Sequence, residues 1–137
     1  MRDFLFSTSN KNTSNLALFV LRIGFGALMI THGWAKLMKF EKLQETFMDF
    51  MGLGSTISLS LVIFSEFFCS ILLIIGFLTR WATIPLIVTA IVISSAHQWD
   101  FFGESELGSA YLLAYFAILL LGPGKYSLDH FLVLKRR

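Results

Sequence analysis

Residues 16–37, LALFVLRIGFGALMITHGWAKL, form an apolar run long enough to cross a bilayer as one helix, and two charges, Arg22 and Lys36, stand inside it. Roughly 20 helical residues span about 30 Å of hydrocarbon. The run therefore predicts a membrane span with polar groups that need a destination. The rest of the chain agrees with that reading. Of its 137 residues, 55% are hydrophobic and 15% charged, with a mean hydropathy of +0.72, whereas soluble domains carry about 25% charged residues. A water-soluble enzyme with an ordinary surface is excluded.

Three further apolar runs follow, at about 58–78, 81–97 and 107–121. Only Thr79 and Arg80 separate the second from the third, so a tight antiparallel helical hairpin is expected there, with Pro85 in the first turn of the third helix. Gly122, Pro123 and Gly124 stop the fourth run. The expected fold is an all-α integral membrane protein: an antiparallel four-helix transmembrane bundle over residues 16–122, preceded by a polar N-terminus (1–15) and followed by a basic tail (123–137). No signal peptide is expected, because residues 1–15 lack a charged segment feeding an apolar core and a small-residue cleavage site. Between spans one and two, Phe40, Leu43, Phe47, Phe50 and Met51 recur at helical spacing, opposite Glu41, Lys42, Glu45 and Asp49. That pattern predicts a short amphipathic helix, either lying in the membrane interface or packed over the bundle mouth.

With four spans, Arg2, Lys11, Arg22, Arg80, Lys125, Lys135, Arg136 and Arg137 share one side, and Lys36, Lys39 and Lys42 take the other. The positive-inside rule assigns both termini to the cytoplasm. Nothing in the charge pattern suggests nucleic acid as a partner; the bilayer is the expected one, with a redox protein or a second copy of the chain as further possibilities. Cys69 is alone, which removes an intramolecular disulfide, a redox pair and a thiolate metal cage.

Charges inside spans are costly and mark function when they face the interior. On span one, Arg22, Gly26, Met29, Gly33 and Lys36 fall on one stripe with His32 beside it, and on span two Glu66, Ser70, Leu73, Phe77 and Arg80 form another. Glu66 lies roughly 18 Å from the cytoplasmic end of its span at 1.5 Å per residue, so it must be neutral, hydrogen-bonded or paired. Arg22 is the expected partner in a buried pair, with Lys36 or His32 as the alternative. His32, Lys36, Glu66, His97 and Tyr111, together with Glu104 and Glu106, gather in the outer half of the bundle, at the level of Trp34 and Trp99. Imidazole, carboxylate and phenol groups against apolar walls suit hydrogen bonds to quinone carbonyls and proton transfer. Bis-imidazole haem ligation by His32 and His97 is a weaker alternative, and no metal site is expected. The opposing reading takes these groups as interfacial hydrogen bonds and a clasp between helices.

Three segments, LRIGFGALMITHGWAKL, SEFFCSILLIIGFLTRWAT and GPGKYSLD, together resemble the DoxX family of small four-span bacterial inner-membrane proteins. The order of the arginine, the Gly-x-x-Lys ending of span one, and the glutamate followed by Gly-x-x-Thr-Arg carries the likeness, which covers nearly everything after Ser14. The resemblance implies importance for Arg22, Gly33, Lys36, Glu66, Gly76 and Arg80. It also implies a quinone-linked redox setting, in which the chain is the membrane subunit of a larger assembly; whether it has catalytic activity of its own stays open. A non-catalytic scaffold, or a carrier of a small solute or lipid, is the competing function.

Overall fold

A computed structural model describes residues 10–96, 98, 100, 102–103 and 105–136 of the chain. All regular structure among them is helical. Helix α1 runs Lys11–Met38, α2 Phe40–Leu43, α3 Ser55–Ile75, α4 Thr79–Ala96, α5 Glu106–Leu121 and α6 Leu128–Lys135. By length and composition α1, α3 and α4 are able to cross a membrane, and α5 is a shorter apolar helix. Large apolar side chains face outward along all four, among them Val20, Leu28, Phe64, Phe68, Val88, Leu113 and Leu120. Such a surface is stable only against lipid or another apolar face.

The helices share one core of Met29 from α1, Cys69 and Leu73 from α3, Ala82, Leu86 and Ala90 from α4, and Tyr111, Tyr115 and Ile118 from α5. The stripe of α1 buries as its spacing requires: Leu18, Arg22, Gly26, Met29 and Gly33 are all inside. Its glycines face α3. A Cβ on Gly26 would stand 2.6 Å from Ile74 Cγ1, and one on Gly33 would stand 2.7 Å from the Phe67 nitrogen and 2.8 Å from the Glu66 carbonyl carbon. Between α3 and α4, the Thr89 hydroxyl donates to Ser65 Oγ at 2.8 Å, a polar contact of the kind that joins helices in lipid.

Three local expectations are corrected. The connection between spans two and three is not Thr79–Arg80 but Gly76–Leu78, and both Thr79 and Arg80 belong to α4. Gly76 adopts the left-handed conformation (φ 75°), and the Phe77 and Gly76 N–H groups donate back to the Leu72 carbonyl at 3.0 and 2.9 Å. This is a Schellman ending, which hydropathy misses because Phe77 and Leu78 are apolar. Since α4 starts at Thr79, Pro85 is inside the helix rather than in its first turn; membrane helices tolerate such a proline where neighbours satisfy the freed carbonyl.

The amphipathic helix after span one is reduced to the single turn of α2. Beyond it the chain folds back over the start of α3. Gly54 N–H donates to Asp49 Oδ1 at 2.9 Å, Phe50 N–H to Ser58 Oγ at 2.9 Å, and Ser55 Oγ to the Gln44 carbonyl at 2.7 Å. Met51, Gly52 and Gly54 all have positive φ, which no helix accommodates, and the Asp49 side chain offers the backbone a competing partner. Phe40, Leu43, Phe47 and Phe50 are half-buried, while Met51 is 84% exposed. Phe47, Met48 and Phe50 close one side of an apolar groove of about 310 Å³ against Leu61, Phe64 and Val88.

The segment expected as a basic tail carries α6, capped by Ser127 Oγ accepting from His130 N–H. It is pinned to the helices by Asp129, whose two carboxylate oxygens accept from the Leu78 and Thr79 N–H groups at 2.8 and 2.9 Å. These are orphan donors at the start of α4. The Asp129 N–H donates to the Gly76 carbonyl at 2.9 Å, so one residue secures both sides of the turn.

Candidate functional site

The two charges of span one lie in separate environments. Arg22 is 1% exposed, and its guanidinium makes four hydrogen bonds to backbone carbonyls. Nε donates to Leu73 (3.0 Å), Nη2 to Ile74 (3.1 Å), and Nη1 to both Pro123 (2.6 Å) and Tyr126 (3.0 Å). Leu73 and Ile74 end α3, and Pro123 follows the end of α5. Carbonyls at helix C-termini lack intrahelical donors and carry the negative end of the macrodipole. Arg22 is thus a cationic cap joining two helix ends and the start of the GPGKYSLD segment, and the planar fork of an arginine suits four divergent acceptors. Gly76 makes room for it: a Cβ there would collide with Arg22 Nη2.

The expected Arg22–Glu66 pair is therefore incorrect. Glu66, also 1% exposed, is paired with Lys36, whose Nζ donates to Oε2 at 2.6 Å. The reason is axial register. The close approach at Gly33 sets the Glu66 backbone against the last turns of α1, while Arg22 meets α3 at Leu73 and Ile74, seven and eight residues further on. At 1.5 Å per residue that is about 11 Å, beyond an arginine's reach. Lys36 keeps 26% of its side chain exposed, so the pair has one buried member and one at a mouth.

Glu66 lies in a six-residue π-helical stretch, Phe64–Cys69, within α3. The wider turn buries consecutive Ser65 and Glu66 while leaving Phe64 and Phe68 outside. Such bulges recur at functional sites, and no residue pattern in the sequence announces this one. Around the pair is a chamber of about 230 Å³ lined by Met29, His32, Lys36, Glu66, Ile93, Leu107, Gly108 and Tyr111. His32 is solvent- or lipid-accessible and meets Tyr111 edge-on, with ring centroids 6.2 Å apart. Tyr111 packs on Phe25 and Tyr115, and the Tyr115 hydroxyl donates to the Phe25 carbonyl at 3.3 Å. Gly108 brings α5 against α4, since a Cβ would stand 2.9 Å from Ser94 Oγ.

Of the six residues expected at the site, His32, Lys36, Glu66 and Tyr111 line one chamber and Arg22 lies apart from it. His97, and with it the haem alternative, lies outside the described residues, as do Trp99 and Glu104. Among the described residues no three His, Cys, Asp or Glu side chains cluster as metal ligands. The apolar walls Met29, Ile93 and Leu107 carry no chemical signal of their own in the sequence, although Met29 stands on the marked stripe of α1.

A buried carboxylate paired to an ammonium, set among apolar helices whose outer faces suit lipid, defines a small helical membrane protein with an internal polar site. The family profile named DoxX matches residues 17–99, more than half of the chain, and the protein belongs to that family. The chain is also similar to the inner membrane protein YqjF of Escherichia coli (strain K12), 29% identical over 131 residues, covering 89% of this chain and 96% of the relative. No solved structure matches it.

Proposed function

We propose that this protein is an inner-membrane, antiparallel four-helix bundle with cytoplasmic termini whose Lys36–Glu66 chamber binds the headgroup of a quinone, as the membrane subunit of a redox assembly. The observation that carries the reading is the buried Glu66–Lys36 pair with His32 and Tyr111 on the same cavity wall. The similarity to an inner membrane protein supports the location, and the excess of basic residues at one end supports the orientation.

A cavity of 230 Å³ is smaller than the about 300 Å³ at the lower end for drug-sized ligands. It suits a single ring, with any apolar tail left among the helices or lipids. The Lys36 ammonium and the Tyr111 hydroxyl are donors for a carbonyl oxygen, and the Glu66 carboxylate is an acceptor for the hydroxyl of the reduced ring. Conversion of a quinone to a quinol takes two electrons and two protons. Lys36 and His32, at the open side, relay the protons, and a redox partner subunit supplies the electrons.

The test is a titration of the detergent-purified protein with a short-tailed quinone, read by quenching of tryptophan fluorescence, beside mass spectrometry of copurified organic molecules. Saturable quinone binding weakened about two- to tenfold in Tyr111→Phe is expected, since a neutral hydrogen bond contributes roughly 0.5–1.5 kcal/mol. The corresponding quinol should bind about tenfold or more weakly to Glu66→Gln, because a bond to the charged carboxylate contributes roughly 1.5–3 kcal/mol. Absence of any saturable quinone binding refutes the reading. One observation favours a second function: the 2.6 Å ion pair joins α1 directly to α3, as a scaffold or a gated carrier would need. Solute flux into liposomes without redox change would support that alternative.

A further inference from the structure

At the opposite end of the helices from the chamber, α6, the Gly76–Leu78 turn and the first turn of α4 enclose a groove of about 550 Å³. Arg80 and Arg136 both line it, together with Trp81, Asp129, Leu132 and Val133. Its position follows from the elements around it. The membrane-crossing helix α4 begins there, α5 ends there, and an exposed Trp81 marks the level where bilayer and water meet. Helix α6 carries apolar Phe131, Leu132, Val133 and Leu134 outward, with Lys135 and Arg136 following. Apolar side chains beside basic ones are the composition of a helix lying in a headgroup layer.

The charges select the occupant. Two guanidiniums face one carboxylate, and both oxygens of that carboxylate, Asp129, accept backbone N–H groups. The groove is therefore net cationic. Arg80 is also located: a Cβ on Gly122 would stand 3.2 Å from its Nη2 and 3.4 Å from its Nε, so the guanidinium rests against the end of α5. Guanidiniums match phosphate oxygens with paired N–H donors, and basic pockets at helix ends are where anionic headgroups lodge.

We propose that this groove binds the phosphate of an anionic phospholipid between Arg80 and Arg136, with Leu132, Val133 and Trp81 against the first carbons of its chains. The bound lipid ties α6 to the start of α4, adding to the link made by Asp129. It gives Arg80, which the chamber does not use, a role independent of any quinone.

The test uses the full chain in neutral detergent, titrated with short-chain phosphatidylglycerol or phosphatidylcholine and followed by native mass spectrometry. Phosphatidylglycerol should be retained over phosphatidylcholine. Arg80→Gln and Arg136→Gln should each weaken that retention about fivefold, and the double variant about 25-fold, the size expected for surface cations near anionic lipid. Lys125→Gln, outside the groove, should leave it unchanged. If Arg80→Gln loses helicity, the comparison of Arg136→Gln with Arg136→Lys decides, because only the lysine variant retains the charge. Equal retention of both lipids, or a phosphatidylglycerol preference undiminished by removal of Arg136 or of both arginines, overturns the proposal. Inorganic phosphate displacing the lipid at equal concentration would assign the groove to a free anion instead, and would equally overturn the assignment to lipid.

Discussion

Glu66 has two candidate cations on the same face of α1, and a pair of double-mutant cycles distinguishes them. The perturbations are Glu66→Gln with Lys36→Gln, and Glu66→Gln with Arg22→Gln. Removing Lys36 leaves a carboxylate that is 1% exposed without the ammonium bonded to it. Breaking a buried pair costs about 3–5 kcal/mol, and the open side of this one, where Lys36 is 26% exposed, reduces that to about 2–3 kcal/mol. Removing both partners costs less than the sum, so the coupling between Lys36 and Glu66 should be about 2 kcal/mol. Arg22 is different in kind. Its four acceptors are backbone carbonyls, Leu73 and Ile74 at the end of α3 and Pro123 and Tyr126 in the segment between α5 and α6, and its head meets α3 about 11 Å along the helix from Glu66. Its substitution should be costly, yet additive with Glu66→Gln to within about 0.5 kcal/mol. The assay is reversible unfolding in mixed micelles or bilayers, with each variant referred to the parent chain. A coupling between Arg22 and Glu66 as large as that between Lys36 and Glu66 would refute this register of α1 against α3.

Arg22→Lys keeps the charge but replaces a four-acceptor fork with a single ammonium, and should cost about 2 kcal/mol in the same assay; a neutral outcome would mean that the carbonyls find other donors. Gly33→Ala sets a Cβ 2.7 Å from the Phe67 nitrogen and should destabilise by about 1–3 kcal/mol through forced backbone separation. Gly24→Ala on the same helix meets nothing within 4 Å and should be neutral or stabilising by up to about 1 kcal/mol. Equal effects of the two alanines would show that α1 and α3 do not approach at Gly33. A reporter fused to the C-terminus should read cytoplasmic; periplasmic labelling of that end would reverse the orientation drawn from the basic residues.

Much of the chamber was present in the periodicity of two helices. The sequence by itself determined that Arg22, Gly26, Met29 and Gly33 share one interior face of α1 and that Glu66, Ser70 and Leu73 share one of α3, because side chains four and three apart stack on a helix whatever surrounds it. Phe77 and Arg80, expected on that second stripe, lie beyond the end of α3 at Gly76. It determined the helical membrane class as well, since long apolar runs leave the backbone no other way to satisfy its hydrogen bonds in lipid. The family likeness marked Gly76, Arg80 and the GPGKYSLD segment without giving them a task. Periodicity fixes the angle of a residue around its helix and says nothing of how far one helix slides along another. That slide decided which cation Glu66 meets. It is set by backbone contact at Gly26 and Gly33, by the left-handed stop at Gly76 and by the π-helical turn at Phe64–Cys69, and each of these is a property of two or more segments packed together. Helix α6 belongs to the same class of facts: its eight residues read as a basic tail until Asp129 finds the two unsatisfied N–H groups at the start of α4.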